Sequence, residues 1–250
     1  MNIVVAMKQI PDLQQIRIRE RKPVLSGVPL TFGLIDKNAL EAGIQLKEAT
    51  GGNLIVVSAG NEEVEETIKE ALAVGADEAY LAADNALSDF DSAQNAQILA
   101  GLIKKIDDPG IIIFGEGSGD NYSGQVGTRV AEILGLPSVA YVSRITIKDH
   151  IATLVRSLED ADEFLEVRLP CIVTVLGDIN EPRLPSVTQV LKAGKKRREV
   201  FALSDLGIEI SASAVSTISE LAPISQRKQI ALKSLDELLN ALQTEGFLRR

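Results

Sequence analysis

A single cysteine, Cys171, and a single histidine, His150, are all that this 250-residue chain holds of two common catalytic side chains. One thiol excludes an internal disulfide and points to a reducing cytoplasm. Cys171 follows Pro170 at the head of an apolar run and reads as buried and inert. His150 lies in a charged turn, Lys148-Asp149-His150, and reads as exposed and without a catalytic role. No cluster of His, Cys and carboxylates has metal-ligand spacing, so no metal and no catalytic residue is expected. No apolar run approaches the roughly 18 residues that cross a bilayer, so no transmembrane segment is expected. The opening MNIVVAMKQIPD lacks a basic region and a small-residue cleavage site, and reads as a strand rather than a signal peptide. A net charge of −9 argues against general nucleic-acid binding. Against that acidic background Lys192, Lys195, Lys196, Arg197 and Arg198 crowd together. They form either a solvated basic stretch or a docking surface for an acidic partner.

What the chain does have is alternation. Apolar stretches at Ile3–Met7, Leu54–Ser58, Ala79–Ala82 and Ile111–Phe114 predict short strands. Helical periodicity between them predicts helices over Asp36–Thr50, Glu62–Val74 and Ser92–Lys105. Asp36 is the expected N-cap of the first, and Gly51-Gly52 its end. Repeated βα units of this length imply an α/β fold: a Rossmann-like, doubly wound, mostly parallel sheet with helices on both faces. After Pro137 the rhythm changes, and Val139–Ile147, Ile151–Leu158 and Phe164–Leu169 predict an antiparallel extension. Cys171–Leu176 reads as a last apolar strand. From Gly177 on, periodicity is weak, and Ser211–Ser219 is rich in Ser and Ala. Only Ser234–Thr244 reads as a helix there, with Leu235, Leu238, Leu239 and Leu242 on one face. So long an irregular tail is uncommon inside a compact domain. The expectation is that it is ordered by lying against another chain, with the terminal helix docking at its end.

The segment Ile111–Gly127, IIIFGEGSGDNYSGQVG, runs from a buried strand through a glycine-rich turn into a helix start. Glycines let backbone approach a ligand, and free N–H groups of a first helical turn favour an anion such as phosphate. No Gly-Lys-Ser/Thr follows, so the turn is not a Walker loop and lacks the lysine of phosphoryl transfer. Three strand ends carry small residues: Ala6-Met7, Ser58-Ala59-Gly60 and Gly115–Gly119. If these strands are neighbours, they line one crevice at the carboxyl edge of the sheet. A carboxylate beside phosphate repels it, so Asp120 reads as an N-cap or a partner for a ribose hydroxyl. Ser123 and Gln125 have the donors for a phosphate oxygen or an adenine edge, and Arg129 has the charge to neutralise phosphate.

Several segments together resemble the beta subunit of electron-transfer flavoproteins. VAMKQIPD resembles that family's opening strand and turn, ALEAGIQLKE its first helix, and ALAVGADEAYL its second helix and next strand. FGEGSGDNYSGQVG with AEILGLPSV resembles its nucleotide loop, in the form found in FixA-type subunits. DINEPRLPSVTQVLKAGKK resembles its signature, and SDLGIE also fits. The resemblance implies a heterodimer whose alpha subunit carries the redox FAD; residues 1–200 of this chain would form its nucleotide-binding domain, and 201–250 a C-terminal arm wrapping that partner. It implies a structural AMP in the beta subunit or, in electron-bifurcating members, a second FAD that oxidises NADH. The nucleotide site would comprise Ala6, Gly33, Leu34, Ile35, Asp36, Ala59, Asp120, Asn121, Tyr122, Ser123, Gly124, Gln125, Val126, Gly127, Thr128, Arg129, Val130 and Ala131. Leu13 and Ile35 hold positions near the alpha-subunit flavin, where ordinary mammalian-type members carry aromatics.

The same resemblance makes Asn180–Lys196 a recognition loop. Its residues Asn180, Glu181, Pro182, Arg183, Leu184, Val187, Lys192, Lys195 and Lys196 would meet an acyl-CoA dehydrogenase-type flavoenzyme of fatty acid oxidation, with Val187 as the apolar tip. Electrons would leave towards a quinone-linked or other acceptor. Three functions stand side by side: an electron carrier with a structural AMP, a bifurcating subunit with its own FAD, and a free-standing nucleotide-binding module.

Overall fold

The computed structural model describes residues 1–213, 215–224 and 229–248. Residue 214 of the Ser/Ala-rich stretch, and 225–228, 249 and 250 of the expected arm, lie outside the described residues. The chain opens with β1 (Asn2–Ala6), followed by the short strands β2 (Gln9–Pro11), β3 (Arg17–Arg19), β4 (Lys22–Val24) and β5 (Leu30–Phe32). Three βα units follow: α1 (Leu34–Thr50), β6 (Asn53–Gly60), α2 (Val64–Val74), β7 (Glu78–Ala83), α3 (Ser92–Ile103) and β8 (Pro109–Gly115). Next come α4 (Val126–Leu134), β9 (Ser138–Lys148), β10 (Ile151–Ser157), β11 (Asp162–Arg168) and β12 (Cys171–Val175). The last elements are α5 (Val187–Ala193), β13 (Arg197–Phe201) and α6 (Leu235–Thr244).

Nine strands form one sheet in the order β11-β10-β9-β12-β8-β1-β6-β7-β13. The strands from β9 through β13 in that order run parallel, and β10 and β11 add the antiparallel extension beyond β9. Central strands are buried on both faces, so they read as unbroken apolar runs whose residues alternate between two cores. Ile3 and Val5 of β1, with Ile111 and Ile113 of β8, meet Leu40 and Ile44 of α1 and Ile68 and Leu72 of α2. Val4, Ile112 and Phe114 point the other way, to Ile98 and Leu102 of α3 and Val130 of α4. This is the predicted doubly wound arrangement.

The three-residue strands β2, β3, β4 and β5, too short to show a period, escaped the sequence reading, as did two longer elements after Gly177. Strand β13 closes the edge of the sheet beside β7. Its charged sequence, RREVF, hides a strand that needs only one covered face: Phe201 packs against Tyr80 with ring centroids 5.7 Å apart, and the Arg197 guanidinium lies 6.0 Å over that ring. Helix α5 begins at a capping box in which Ser186 and Gln189 exchange side-chain-to-backbone bonds. Its large apolar residues Val187, Val190 and Leu191 are exposed and only Ala193 reaches the core, so the burial periodicity that reveals other helices is missing.

The described residues fall into two compact units, 1–17 with 25–218, and 18–24 with 219–250. The first holds the whole sheet and both cores. In the second, β3 and β4 form a hairpin whose turn residues Glu20 and Arg21 have positive φ. Arg21 exchanges bonds with Ala222: its carbonyl accepts from the Ala222 N–H at 2.7 Å, and its Nε donates to the Ala222 carbonyl at 2.9 Å. Helix α6 is capped by Ser234, which accepts from the Glu237 N–H at 3.2 Å, and none of its residues is buried.

Candidate functional site

The order β7-β6-β1-β8-β12 grows outward from β1 in both directions, so the strand order reverses between β1 and β8. An open α/β sheet has its ligand crevice at such a reversal, beyond the carboxyl ends. Strands β8, β1 and β6 are adjacent, so the three small-residue strand ends do share one edge. Ser58 is buried there and donates to the Met7 carbonyl at 2.7 Å, tying β6 to the end of β1.

Helix α1 starts beside that edge, and its start differs from expectation. Gly33 is the N-cap, and Asp36 lies in the first turn rather than capping it. Asp36 is buried, and its Oδ2 accepts from the Lys8 N–H at 3.4 Å. Burial pushes its carboxyl up to about 7, against the opposing pull of Lys8. Lys8, one of the residues missed from sequence, reaches from the end of β1 to the loop after β8, where its Nζ lies 2.6 Å from Asp120 Oδ2. Its only sequence signal is a lysine just past the first strand. Asp120 therefore has a cation beside it and caps no helix, because α4 begins later, with Gln125 at its N-cap. Burial opposes the charge on Asp120, but hydrogen bonds from Lys8 and Ser118 hold its carboxyl below the usual range.

The glycine-rich turn is shaped by the chain's own packing. A Cβ on Gly127 would stand 2.7 Å from Thr174 Cγ2 and 3.3 Å from Phe114, so this glycine seats α4 on β8 and β12. A Cβ on Gly115 would meet Ile35 Cγ2 at 2.9 Å, and one on Gly119 would meet Leu13 Cδ1 at 3.1 Å. Gly124 has φ +63, a conformation that favours glycine. Tyr122 lays its ring against Gly117, and its hydroxyl donates to Glu116 Oε1 at 2.5 Å. That acceptor, followed by desolvation, pushes the phenol up to about 12.

Asn121, Tyr122, Ser123, Gly124 and Gln125 are exposed. Gln125 makes no side-chain bond to the first-turn amides of α4; its Oε1 accepts from Arg129 at 2.9 and 3.2 Å instead. Thr128 likewise turns its hydroxyl back to the Gln125 carbonyl at 3.0 Å. Helix α4 thus opens with no side-chain cap, and the Arg129 guanidinium is held along its own helix. Val130 and Ala131 are core residues on the underside of α4, Ala6 is buried in the same core, and Ala59 packs against it. Leu34 is exposed and Ile35 half-buried.

The segment before α5 is pinned to α1. Asn38 Nδ2 donates to the Asn180 carbonyl at 2.7 Å, and Asn180 Nδ2 returns a bond to the Asn38 carbonyl at 3.0 Å. Arg183 forks onto Glu41 at 2.8 and 2.9 Å and onto Glu48 at 2.6 Å. Glu41 is buried, so this fork neutralises a charge held out of water. Beyond it Leu184 and Val187 are 91% and 79% exposed, with Val190 and Leu191 also open. The basic cluster divides. Lys196 donates to the carbonyls of Leu72 and Ala76 at 2.8 and 2.6 Å, satisfying the end of α2, and Arg197 pairs with Glu78 and Glu199. Lys192 and Lys195 are exposed and have no acidic partner among the described residues. Cys171 is buried and its thiol is pushed up by desolvation to about 11, while His150 is exposed in the β9–β10 turn.

No helix among the described residues is long and apolar enough to cross a membrane, and no group of His, Cys, Asp and Glu among them is arranged to hold a metal ion. A family model described as the electron transfer flavoprotein domain matches residues 26–206. The chain is 35% identical to the electron transfer flavoprotein subunit beta of Thermoanaerobacterium thermosaccharolyticum, covering 91% of this chain and 90% of the relative. It is 35% identical to the caffeyl-CoA reductase-Etf complex subunit CarD of Acetobacterium woodii, over 86% and 84% of the two chains. Against protein FixA of Azorhizobium caulinodans identity is 32%, over 84% and 78%.

Proposed function

This chain belongs to the electron transfer flavoprotein family, on its beta-subunit and FixA side, and from that membership we propose that it is the nucleotide-binding half of a cytoplasmic heterodimer that passes electrons between flavoenzymes. Its alpha partner carries the exchanging FAD, and an AMP fills the crevice between β1 and β8. The observation that carries the nucleotide reading is the start of α4: nine helical residues that open beside the crevice with no side-chain cap on their first amides. The residues present fit an adenine nucleotide. The amides of Val126, Gly127 and Thr128 face its phosphate, and Asp120 and Asn121 meet the ribose. Ser123 and Gln125 supply the remaining polar contacts. A flavin, when bound, supplies reversible electron acceptance; this chain's own residues bind, orient and shield.

The exposed apolar run Leu184, Val187, Val190 and Leu191, set behind the Arg183 fork and beside the unpaired Lys192 and Lys195, supports a docking surface for an acyl-CoA dehydrogenase-type flavoenzyme. Electrons then leave to a quinone-linked acceptor. Residues 1–200 bind the nucleotide, and 201–250 form the arm that packs on the alpha subunit. Leu13 and Ile35 lie towards the alpha-subunit flavin, with aliphatic rather than aromatic surfaces. A second reading places an NADH-oxidising FAD in the same crevice; the FixA-type form of the loop GDNYSGQVG, with the FixA relative, favours it.

The experiment is a nucleotide count. The chain is co-expressed with its matching alpha subunit, and the purified complex is denatured. One FAD and one AMP per heterodimer are expected. Two FAD establish the second reading, and a complex without nucleotide refutes both.

A further inference from the structure

The Lys8–Asp120 ion pair spans the two strands that define the crevice. Lys8 follows β1 and its main chain is pinned there, since its N–H is bonded to buried Asp36. Its side chain leaves that anchor and meets Asp120, in the loop that leaves β8, at 2.6 Å. Because β1 and β8 are neighbours, one ammonium–carboxylate bond bridges the reversal point from side to side. The pair is half-open to solvent, with side chains 41% and 26% exposed, and a pair so placed holds weakly and exchanges partners readily. The turn itself contains no lysine, so its loop cannot supply the cation that a phosphate would otherwise draw from a Walker lysine. Asp120 on its own would repel such a phosphate.

We propose that Lys8 is the phosphate-binding cation of this crevice, and that Asp120 holds its ammonium until the phosphate of an adenine nucleotide takes it. Asp120 has a double role in this arrangement. It keeps the ammonium at the mouth of the crevice, and once released it is free to accept from a ribose hydroxyl. The proposal rests on the nucleotide reading above.

The test titrates AMP and adenosine into the nucleotide-stripped full chain by calorimetry. The readout is the ratio of the two affinities, which isolates the phosphate from the nucleoside. In Lys8→Met the ratio falls about tenfold or more, because a charge-assisted bond to phosphate is lost. In Asp120→Asn the ratio rises, since the ammonium no longer has to leave a carboxylate. In the double variant the ratio stays at the Lys8→Met level, because no ammonium remains to release. An unchanged ratio in Lys8→Met, or a ratio in Asp120→Asn that stays level or falls, overturns the proposal while leaving the nucleotide site in place. Failure of the unmodified chain to bind either compound overturns the nucleotide reading itself.

Discussion

Burying Asp36 at the head of α1 ties the stability of the fold to pH near neutrality. Its carboxyl is raised to about 7 by burial, with Lys8 and Asp120 as the charged groups that face it. A group whose folded pKa is raised binds its proton more tightly when folded. The resulting stabilisation is fully present below the ordinary carboxylate range and is lost as pH rises through about 7; the shift corresponds to on the order of 4 kcal/mol at most. Asp36→Asn keeps the shape without the titration. Thermal melts at pH 5 and pH 8.5 are expected to show a flatter profile for the variant, and a higher Tm at pH 8.5. Equal losses in both proteins between those pH values would show that Asp36 does not titrate in the window. Gly127 illustrates a different residue-scale constraint. A glycine in a phosphate-binding turn invites the reading that a ligand passes close, yet here the close neighbours are Thr174 and Phe114 of the same chain. Gly127→Ala is expected to cost about 1–3 kcal/mol in urea unfolding through overpacking. Adding Thr174→Ser, which removes the methyl 2.7 Å away, should restore part of that loss. No restoration would mean the strain lies in the helix start instead.

Helix α1 carries the element-scale argument. Its first turn borders the crevice, and its remaining length holds the segment that leads to α5 through Asn38, Glu41 and Glu48. The signature residues Asn180 and Arg183 therefore position the exposed surface, while Leu184 and Val187 form it. Arg183→Lys loses the planar fork and leaves buried Glu41 underpaired; it is expected to lower stability by about 1–3 kcal/mol and to weaken dehydrogenase coupling, with nucleotide content unchanged. Val187→Asp should weaken the same coupling with no change in Tm, since the side chain has no packing to lose. If Val187→Asp instead lowers Tm or flavin content, the segment packs against the alpha subunit. Helix α2 shows why a cluster of like charges is a poor guide to function. Lys196 is spent on the carbonyls at the end of α2, and only its neighbours Lys192 and Lys195 remain for a partner.

At the scale of the whole molecule, the two units differ in what they bury. The sheet-bearing unit has a core on each face, whereas α6 presents Leu235, Leu238 and Leu239 to solvent, and Leu221, Ile224 and Ile230 of the preceding arm are also exposed. An amphipathic helix with its apolar stripe open gains stability only when another surface covers it. Ending the chain after Ile218 is expected to leave the thermal transition of the first unit in place and to abolish co-purification of the alpha subunit. Retained co-purification would place the main contact on the sheet-bearing unit.

What the sequence determined by itself is everything that local pattern encodes: the alternating βα units, the ends of α1 at Gly51 and of β8 at Gly115, the buried thiol, the exposed histidine and the family signature. Each follows from periodicity, turn chemistry or a run of neighbouring residues. Only the tertiary structure decided which distant groups meet. Asp36 looks like a cap in sequence and is a buried acid; Asp120 looks like another and is Lys8's partner across 112 positions. β13 exists because β7 lies beside it, and Arg183 is a positioning residue because Glu41 is 142 positions away. Such pairings arise when the sheet brings strand ends together, and no local pattern in the chain carries them.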